Sequence, residues 1–343
     1  MNDKHTMLAM VLSLSTAYVA HGQASGQSPA DTQPEAYKQH VARATAAATG
    51  LGKNVLNQCN VPAPAGRRGE PAGRAAGGAA RGGRGGGSQT LEPGKVFDNL
   101  YFVGLAGVSA WAINTSDGII LIDALNNGKD AQTAIVPGLR KVGLDPAHIK
   151  YLIITHSHGD HYGGAQYLVD RFHPRVISSE ADWKGMSGPL QFNNPAWDAP
   201  PKRDMTIVDG QKLTLGDATI TLYVTPGHTP GTISVVIPVK DNGTPHTAAL
   251  WGGTGFNFTP TAAAFKTYGD SADRFKDIVR RAGVDVFLSN HGNIDDTPTR
   301  LSALRNRKPG EPNPYVIGPD AVQSVLTVLS ECAKAREAVA ATR

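Results

Sequence analysis

The sequence predicts an α/β protein of four layers, with two β-sheets packed face to face and helices on the outside. Three observations predict it. Short apolar runs follow one another from residue 96 onward in meander-like sets, and a helical pattern follows each set. Each such element has one apolar face that must be buried against another layer. A chain of 343 residues can bury the core this demands without a metal to hold it together.

Residues 36–59 are Ala-rich at helical spacing and predict a helix that Gly50 and Gly52 interrupt. Residues 96–103, 108–114 and 118–123 predict successive strands, with Ser116, Asp117 and Gly118 supplying a hairpin turn. A helix is expected over 130–142 across Pro137 and Gly138, then a short buried strand over 151–155. The second cycle has strands at 176–178, 212–215, 219–225, 233–238, 248–251 and 284–289. Its helices are expected at 262–266, 271–282 and 322–340.

Four segments are expected along the chain. Residues 1–24 read as a secretory signal, with Lys4, an apolar stretch from Met7 to Ala20 and small residues at Gly22 and Ala24. That stretch is shorter than the roughly 20 apolar residues of a membrane-spanning helix. The chain is therefore expected in the periplasm or secreted, with no membrane span. Residues 25–60 form an N-terminal helical segment, 61–90 a Gly/Ala/Arg-rich insertion too poor in apolar surface to order itself, and 91–343 the main domain. Cys59 and Cys332 are the only cysteines. In an oxidising compartment they can form one bridge between the N-terminal segment and the last helix, or remain two buried thiols.

The formal charge of +4 does not point to nucleic acid. Arg67, Arg68, Arg74, Arg81 and Arg84 against Glu70 account for all of it, and they lie in the insertion. A small-molecule substrate is expected, without a specific nucleic-acid partner.

The chemistry concentrates in His156-x-His158-x-Asp160-His161, at the end of the strand expected over 151–155. Residues two apart in extended chain point the same way, so His156 and His158 can grip one ion while Asp160 and His161 fall beside a second. Neutral imidazoles suit zinc, and a carboxylate makes a more open site. Each zinc of a catalytic pair takes about three protein ligands. His228, in the rigid turn Thr225-Pro-Gly-His-Thr-Pro-Gly231, and His291, in Leu288-Ser-Asn-His-Gly292, are the further candidates, both just past strands. His5 and His21 belong to the signal region, and His40, His148, His173 and His246 are expected at the surface or at caps.

These motifs resemble the metallo-β-lactamase superfamily, and the resemblance runs from about residue 96 to residue 289 and beyond. It implies an αββα sandwich with the metals at one edge between the sheets. It also implies two Zn2+, one on His156, His158 and His228 and the other on Asp160, His161 and His291. Glyoxalase II-like and RNase Z-like members carry a bridging Asp after the strand ending at Trp251, and two lactamase subclasses carry a Cys in this region. Here the loop is Gly252-Gly253-Thr254-Gly255, which offers no ligand. The chain is thus most similar to subclass 3 of the class B β-lactamases, which uses the six ligands alone. Asn99-Leu-Tyr101 leading to Val108-Ser109-Ala110, Ile122-Asp123 and Thr229-Pro230-Gly231-Thr232 also resemble that subclass. It departs from the subclass in lacking the serines that help hold a substrate carboxylate, where Thr254 is the candidate substitute.

The resemblance implies a zinc-dependent hydrolase in which a metal-bridged hydroxide attacks a carbonyl and Asp160 orients the nucleophile. Asp123 would orient the ligands or simply cap a strand end. The irregular loop over 185–203, with Phe192, Asn193, Asn194 and Trp197, is either substrate wall or plain connection. Trp197, Thr254 and Phe256 are the candidate substrate contacts. β-Lactam hydrolysis is the leading expectation. An exported hydrolase of lactones, esters or other amides is the alternative, and a non-catalytic metal-binding scaffold the third reading.

Overall fold

A computed structural model describes residues 33–61 and 89–342. The expected signal segment and nearly all of the expected disordered insertion lie outside the described residues. The insertion's last two residues do not, because Thr90 bridges Leu105 and Gln89 accepts a hydrogen bond from the Ala106 amide.

The described chain begins with helices α1 (Glu35–Ala47) and α2 (Gly52–Val55), running into a 3-10 turn at Leu56–Cys59. Next come β1 (Gly94–Lys95), β2 (Leu100–Phe102), β3 (Trp111–Thr115) and β4 (Gly118–Ile122), then α3 (Gly128–Asp130), α4 (Val136–Lys141) and β5 (Ile149–Ile153). Helices α5 (Gly159–Tyr162) and α6 (Ala165–Phe172) lead to β6 (Arg175–Ser179), α7 (Glu180–Ser187) and β7 (Met205–Ile207). The second half holds β8 (Gln211–Leu215), β9 (Ala218–Val224), β10 (Ile233–Asp241), β11 (Thr244–Trp251), α8 (Ala262–Arg281), β12 (Val286–Ser289), α9 (Thr297–Arg305) and α10 (Pro319–Ala340).

Strands β1 to β7 form one sheet in sequential order, antiparallel through β4 and parallel from there. The other sheet runs β12-β11-β10-β9-β8, antiparallel except for the β11–β12 pair. Side-chain alternation assigns the layers. Trp111, Ile113, Ile120 and Ile122 of the first sheet meet Ile233, Val235, Ile237 and Leu250 of the second in the central core. Ala112, Ile119 and Leu121 face outward onto Ala134, Ile135, Leu139 and Leu168. Val236, Ala249, Trp251 and Phe287 face the other way, onto Phe275, Val325 and Leu329. The expected four-layer αββα sandwich follows from these three interfaces.

Several boundaries differ from the expected ones for local reasons. The strand expected over 96–103 breaks into β1 and β2, because the amides of Val96 and Phe97 both turn back to the Leu100 carbonyl around Asp98 and Asn99, two turn-forming residues. The helix expected over 130–142 passes through a π-helical stretch at Ala131–Ile135. Pro137 falls just after that stretch, so the residue without an N–H sits where the helix already departs from regular α hydrogen bonding. The two helices expected on either side of Gly269 are one, α8, with Gly269 set against Ala333 of α10. Strand β7 and helices α6, α7 and α9 are not among the elements expected from the sequence.

Cys59 and Cys332 form a disulfide, which closes the bridge left open by the sequence. It ties the turn after α2 to α10, against which α1 also packs. The described N-terminal segment therefore belongs to the same compact unit as the sandwich, which begins at Pro34. Among the described residues no helix is long and apolar enough to cross a membrane.

Candidate metal centre

Five imidazoles meet where the ends of both sheets converge. His156 and His158 lie just past β5, His161 is in α5, His228 is in the turn between β9 and β10, and His291 follows β12. Their ring centroids form a continuous series, with His156 4.7 Å from His158, 4.4 Å from His228 and 4.1 Å from His161, and His161 5.0 Å from His291. The ligand atoms of His156, His158 and His228 all lie within 4.8 Å of one another, and so do those of His156, Asp160 and His161. His291 stands one step outside the second group, its Nε2 3.9 Å from Asp160 Oδ2.

The hydrogen bonds decide which nitrogen of each ring faces the cluster. A carbonyl can only accept, so Nδ1–H of His156 donates to Gly252 O at 2.8 Å, that of His228 to Gly255 O at 2.6 Å and that of His291 to Gly107 O at 2.9 Å. His161 engages Asp123 Oδ2 through Nδ1 at 2.8 Å. His158 is turned the other way, its Nε2 donating to Gln191 Oε1 at 3.1 Å. The Gln191 amide nitrogen donates to Asn257 O, which sets the direction of that amide. Each ring thus turns one nitrogen toward the cluster, in the pattern by which an acceptor behind an imidazole orients it. The free Nε2 atoms of His156 and His228 face each other at 3.1 Å, and the buried Nε2 of His161 has no hydrogen-bond partner. Nitrogens gathered this closely with lone pairs opposed are unfavourable by themselves, so the donor set fits a divalent cation.

Burial and charge act differently across the cluster. Burial, reinforced by the neighbouring imidazoles, holds His156 and His228 well below the usual histidine range and brings His158 down to about 4. Neutral rings of this kind are ready to bind a metal without losing a proton. Burial pushes Asp160 upward, but His161 and then His291 outweigh it and keep the carboxylate well below its usual range. Burial would lower His161 too, yet Asp160 and Asp123 raise it to about 10.

Asp123 sits at the end of β4 in a left-handed conformation, φ 63°. Its Oδ1 accepts the Thr155 amide and its Oδ2 the Thr155 hydroxyl as well as His161. It therefore does both things the sequence left open, tying down a strand end and holding a cluster histidine. The glycine loop has a packing reason. A β-carbon at Gly252 would lie 1.9 Å from Ile233 O, and one at Gly253 2.4 Å from His228 Cβ, so this loop must be bare for its carbonyls to reach His156 and His228.

The three expected substrate contacts separate. Trp197 lies over the motif, its ring in the space a β-carbon at Gly159 would occupy. Thr254, by contrast, is 2% exposed with its hydroxyl 3.4 Å from Ser289 Oγ, and so faces inward. Phe256 packs in an aromatic group with Phe258, Phe265 and Tyr268 on the outer side of the second sheet. Thr254 is thus buried beside Ser289, whose Oγ accepts the His291 amide, and Phe256 is held within the aromatic group. The loop after α7 instead supplies Phe192, 40% exposed and 5.0 Å from the His158 ring.

Sequence reasoning missed Gln191, Asn290 and Asp182. Asn290 Nδ2 donates to Gly252 O and Thr155 Oγ1. Nothing local distinguishes a glutamine in an irregular loop or an acid in the first turn of a helix; only the fold carries them to the cluster.

Residues 103–242 match the family model of the metallo-beta-lactamase superfamily. The chain is 30% identical over 146 residues to YobT of Bacillus subtilis (strain 168), a match covering 40% of this chain and 60% of that protein. It is 24% identical over 177 residues to an N-acyl homoserine lactonase of Bacillus sp, covering 46% and 65%. The chain thus spans less than two thirds of the length of both relatives. The crystal structure of BJP-1, a subclass B3 metallo-beta-lactamase of Bradyrhizobium japonicum, superposes with a TM-score of 0.58 at 26% identity, covering 70% of this chain and 92% of that one.

Proposed function

We propose that this chain, which carries a metallo-beta-lactamase superfamily domain, is a zinc-dependent hydrolase that opens the carbonyl–nitrogen bond of a β-lactam. The observation that supports this best is the set of unengaged ring nitrogens facing one another beside Asp160, with every opposite nitrogen held by an acceptor. His156, His158 and His228 hold one ion in this reading, and Asp160, His161 and His291 the other. When bound, such ions supply Lewis acidity that polarises a carbonyl oxygen and makes water more acidic.

The chain's own groups do the rest. Asp160 is ionised at neutral pH and orients an attacking water by accepting its hydrogen bond at Oδ. Asp123 Oδ2 engages Nδ1 of His161 and directs Nε2 to the cluster, where the second proton that Asp160 and Asp123 hold on this ring must leave before Nε2 can act as a ligand. Phe192 and Trp197 flank the opening with aromatic surface that can pack against the substrate's apolar part. The disulfide favours an oxidising compartment, consistent with a periplasmic or secreted enzyme.

A second reading, hydrolysis of lactones or esters, is favoured by the inward-facing Thr254, which leaves the glycine loop without a hydroxyl for a substrate carboxylate. Its chemistry at the ions is the same. The deciding experiment offers the zinc-loaded protein a chromogenic cephalosporin and a carbapenem beside acyl lactones and aryl esters, with chelated protein and His158→Ala as controls. Turnover of the β-lactams that needs both zinc and His158 is expected. Turnover of lactones or esters alone would move the assignment to the second reading, and a zinc-loaded protein inert on all of them would reject hydrolysis.

A further inference from the structure

Asp182 lies in the first turn of α7, where an acid ordinarily faces solvent and the helix N-terminus. Here it is fully buried. Its Oδ1 accepts hydrogen bonds from the Ser157 hydroxyl at 3.2 Å and the Gly231 amide at 3.1 Å, and its Oδ2 from the Thr229 hydroxyl at 2.8 Å. Ser157 stands between His156 and His158, and Thr229 is next to His228. One carboxylate therefore contacts both of the loops that deliver the three-histidine group, without touching any of the three rings.

Helix α7 packs closely against both loops. A β-carbon at Gly231 would lie 2.0 Å from Ser179 Oγ, so the turn between β9 and β10 is pressed against the start of α7. Ser179 Oγ in turn accepts the Asp182 amide and caps that helix. A β-carbon at Gly185 would come within 3.0 Å of Ser157 Oγ, so the next turn of α7 closes on the loop after β5. Thr229 Oγ1 is also 2.8 Å from Thr232 Oγ1, which keeps the hydroxyl within the turn.

We propose that Asp182 is a positioning residue that sets the spacing of the His156–His158 loop against the His228 turn, and thereby the geometry of the first metal position. The inference rests on the metal-binding reading above, but it concerns a residue to which that reading gives no part. The physical case is the number and kind of donors. Two hydroxyls and an amide converge on a carboxylate that has no cation beside it among its hydrogen-bond partners, and each donor belongs to a residue next to a proposed ligand or in the same turn. An amide side chain at this position would place an N–H against a group that already donates.

The test compares wild type, Asp182→Asn and the double variant Ser157→Ala/Thr229→Val, which removes the two hydroxyl donors and keeps the acid. Zinc affinity is read by competition with a chromogenic chelator, and ligand geometry from the visible spectrum of the cobalt-substituted protein. Asp182→Asn is expected to weaken the first zinc about 10–100-fold and to alter the cobalt spectrum, as loss of a group supporting metal ligands does. The double variant is expected to shift both in the same direction by a smaller factor. If Asp182→Asn does not fold, the double variant decides. Folded variants with wild-type affinity and spectrum would overturn the role of Asp182 alone, whereas a wild-type protein that binds neither zinc nor cobalt would overturn it together with the metal-binding reading.

Discussion

The two halves of the candidate centre are built on different physics. Around His156, His158 and His228 every proposed ligand is a buried imidazole held neutral by burial, and two of the three acceptors behind the rings are carbonyls of the glycine loop. In the other half charge outweighs burial at Asp160 and His161, while burial lowers His291 as it does the first three rings, and the Asp160 and His291 side chains are 21% and 27% exposed. A rigid neutral pocket suits a firmly held ion, while a charged, wetter position suits one that exchanges and faces substrate. The difference is one of surroundings, since histidine is the commonest residue in both.

The largest expected effect tests that asymmetry directly. His158→Ala should lower hydrolysis by several kcal/mol, roughly a thousandfold, and release the firmly held ion on dialysis. His291→Ala should keep that ion and lose the other. Equal metal loss in the two variants, measured by elemental analysis, would abolish the distinction.

The next effect lies away from both halves. Replacing Cys59 and Cys332 by Ser removes the staple between the N-terminal helices and α10 and should reduce stability by about 2–4 kcal/mol in denaturant unfolding, with metal content unchanged. Metal loss in that variant would mean that α10 supports the centre, which its packing behind the second sheet does not require.

Two substitutions then act on one half each. Asp123→Asn should weaken the second ion about 10–100-fold by altering the acceptor behind His161. Gly253→Ala should act on the first ion by displacing His228. Competition titrations that found each variant affecting both ions alike would show one coupled site. The smallest effect belongs to the opening: Trp197→Ala should raise KM about fivefold, roughly 1 kcal/mol, and leave kcat and metal content alone. A fall in kcat instead would mean that the Trp197 ring also supports the Gly159 turn beneath it.

Much of this was legible in the chain. Short, nearly continuous apolar runs such as 119–122 and 233–239 mark strands covered on both faces, and two such sets with intervening helices lead to the layered sandwich. The motif of four ligand-type residues in six, with His228 and His291 each just past a strand, marks the cluster from the sequence alone. Strand limits were less legible where turn chemistry intervened, as at Asp98 and Asn99.

What the sequence by itself determined, then, is the layered architecture and the ligand-type residues, because side-chain period and local spacing are properties of the chain. Only the tertiary structure decided that Cys59 meets Cys332, that His158 is turned opposite to the other rings, that Thr254 is buried beside Ser289 and Phe256 packs on Tyr268, and that Gln191 reaches a ring of the centre and Asp182 the loops that carry it. Each of these depends on contacts between residues distant in sequence, where burial and the direction of a hydrogen bond are set by which loops the two sheets bring together.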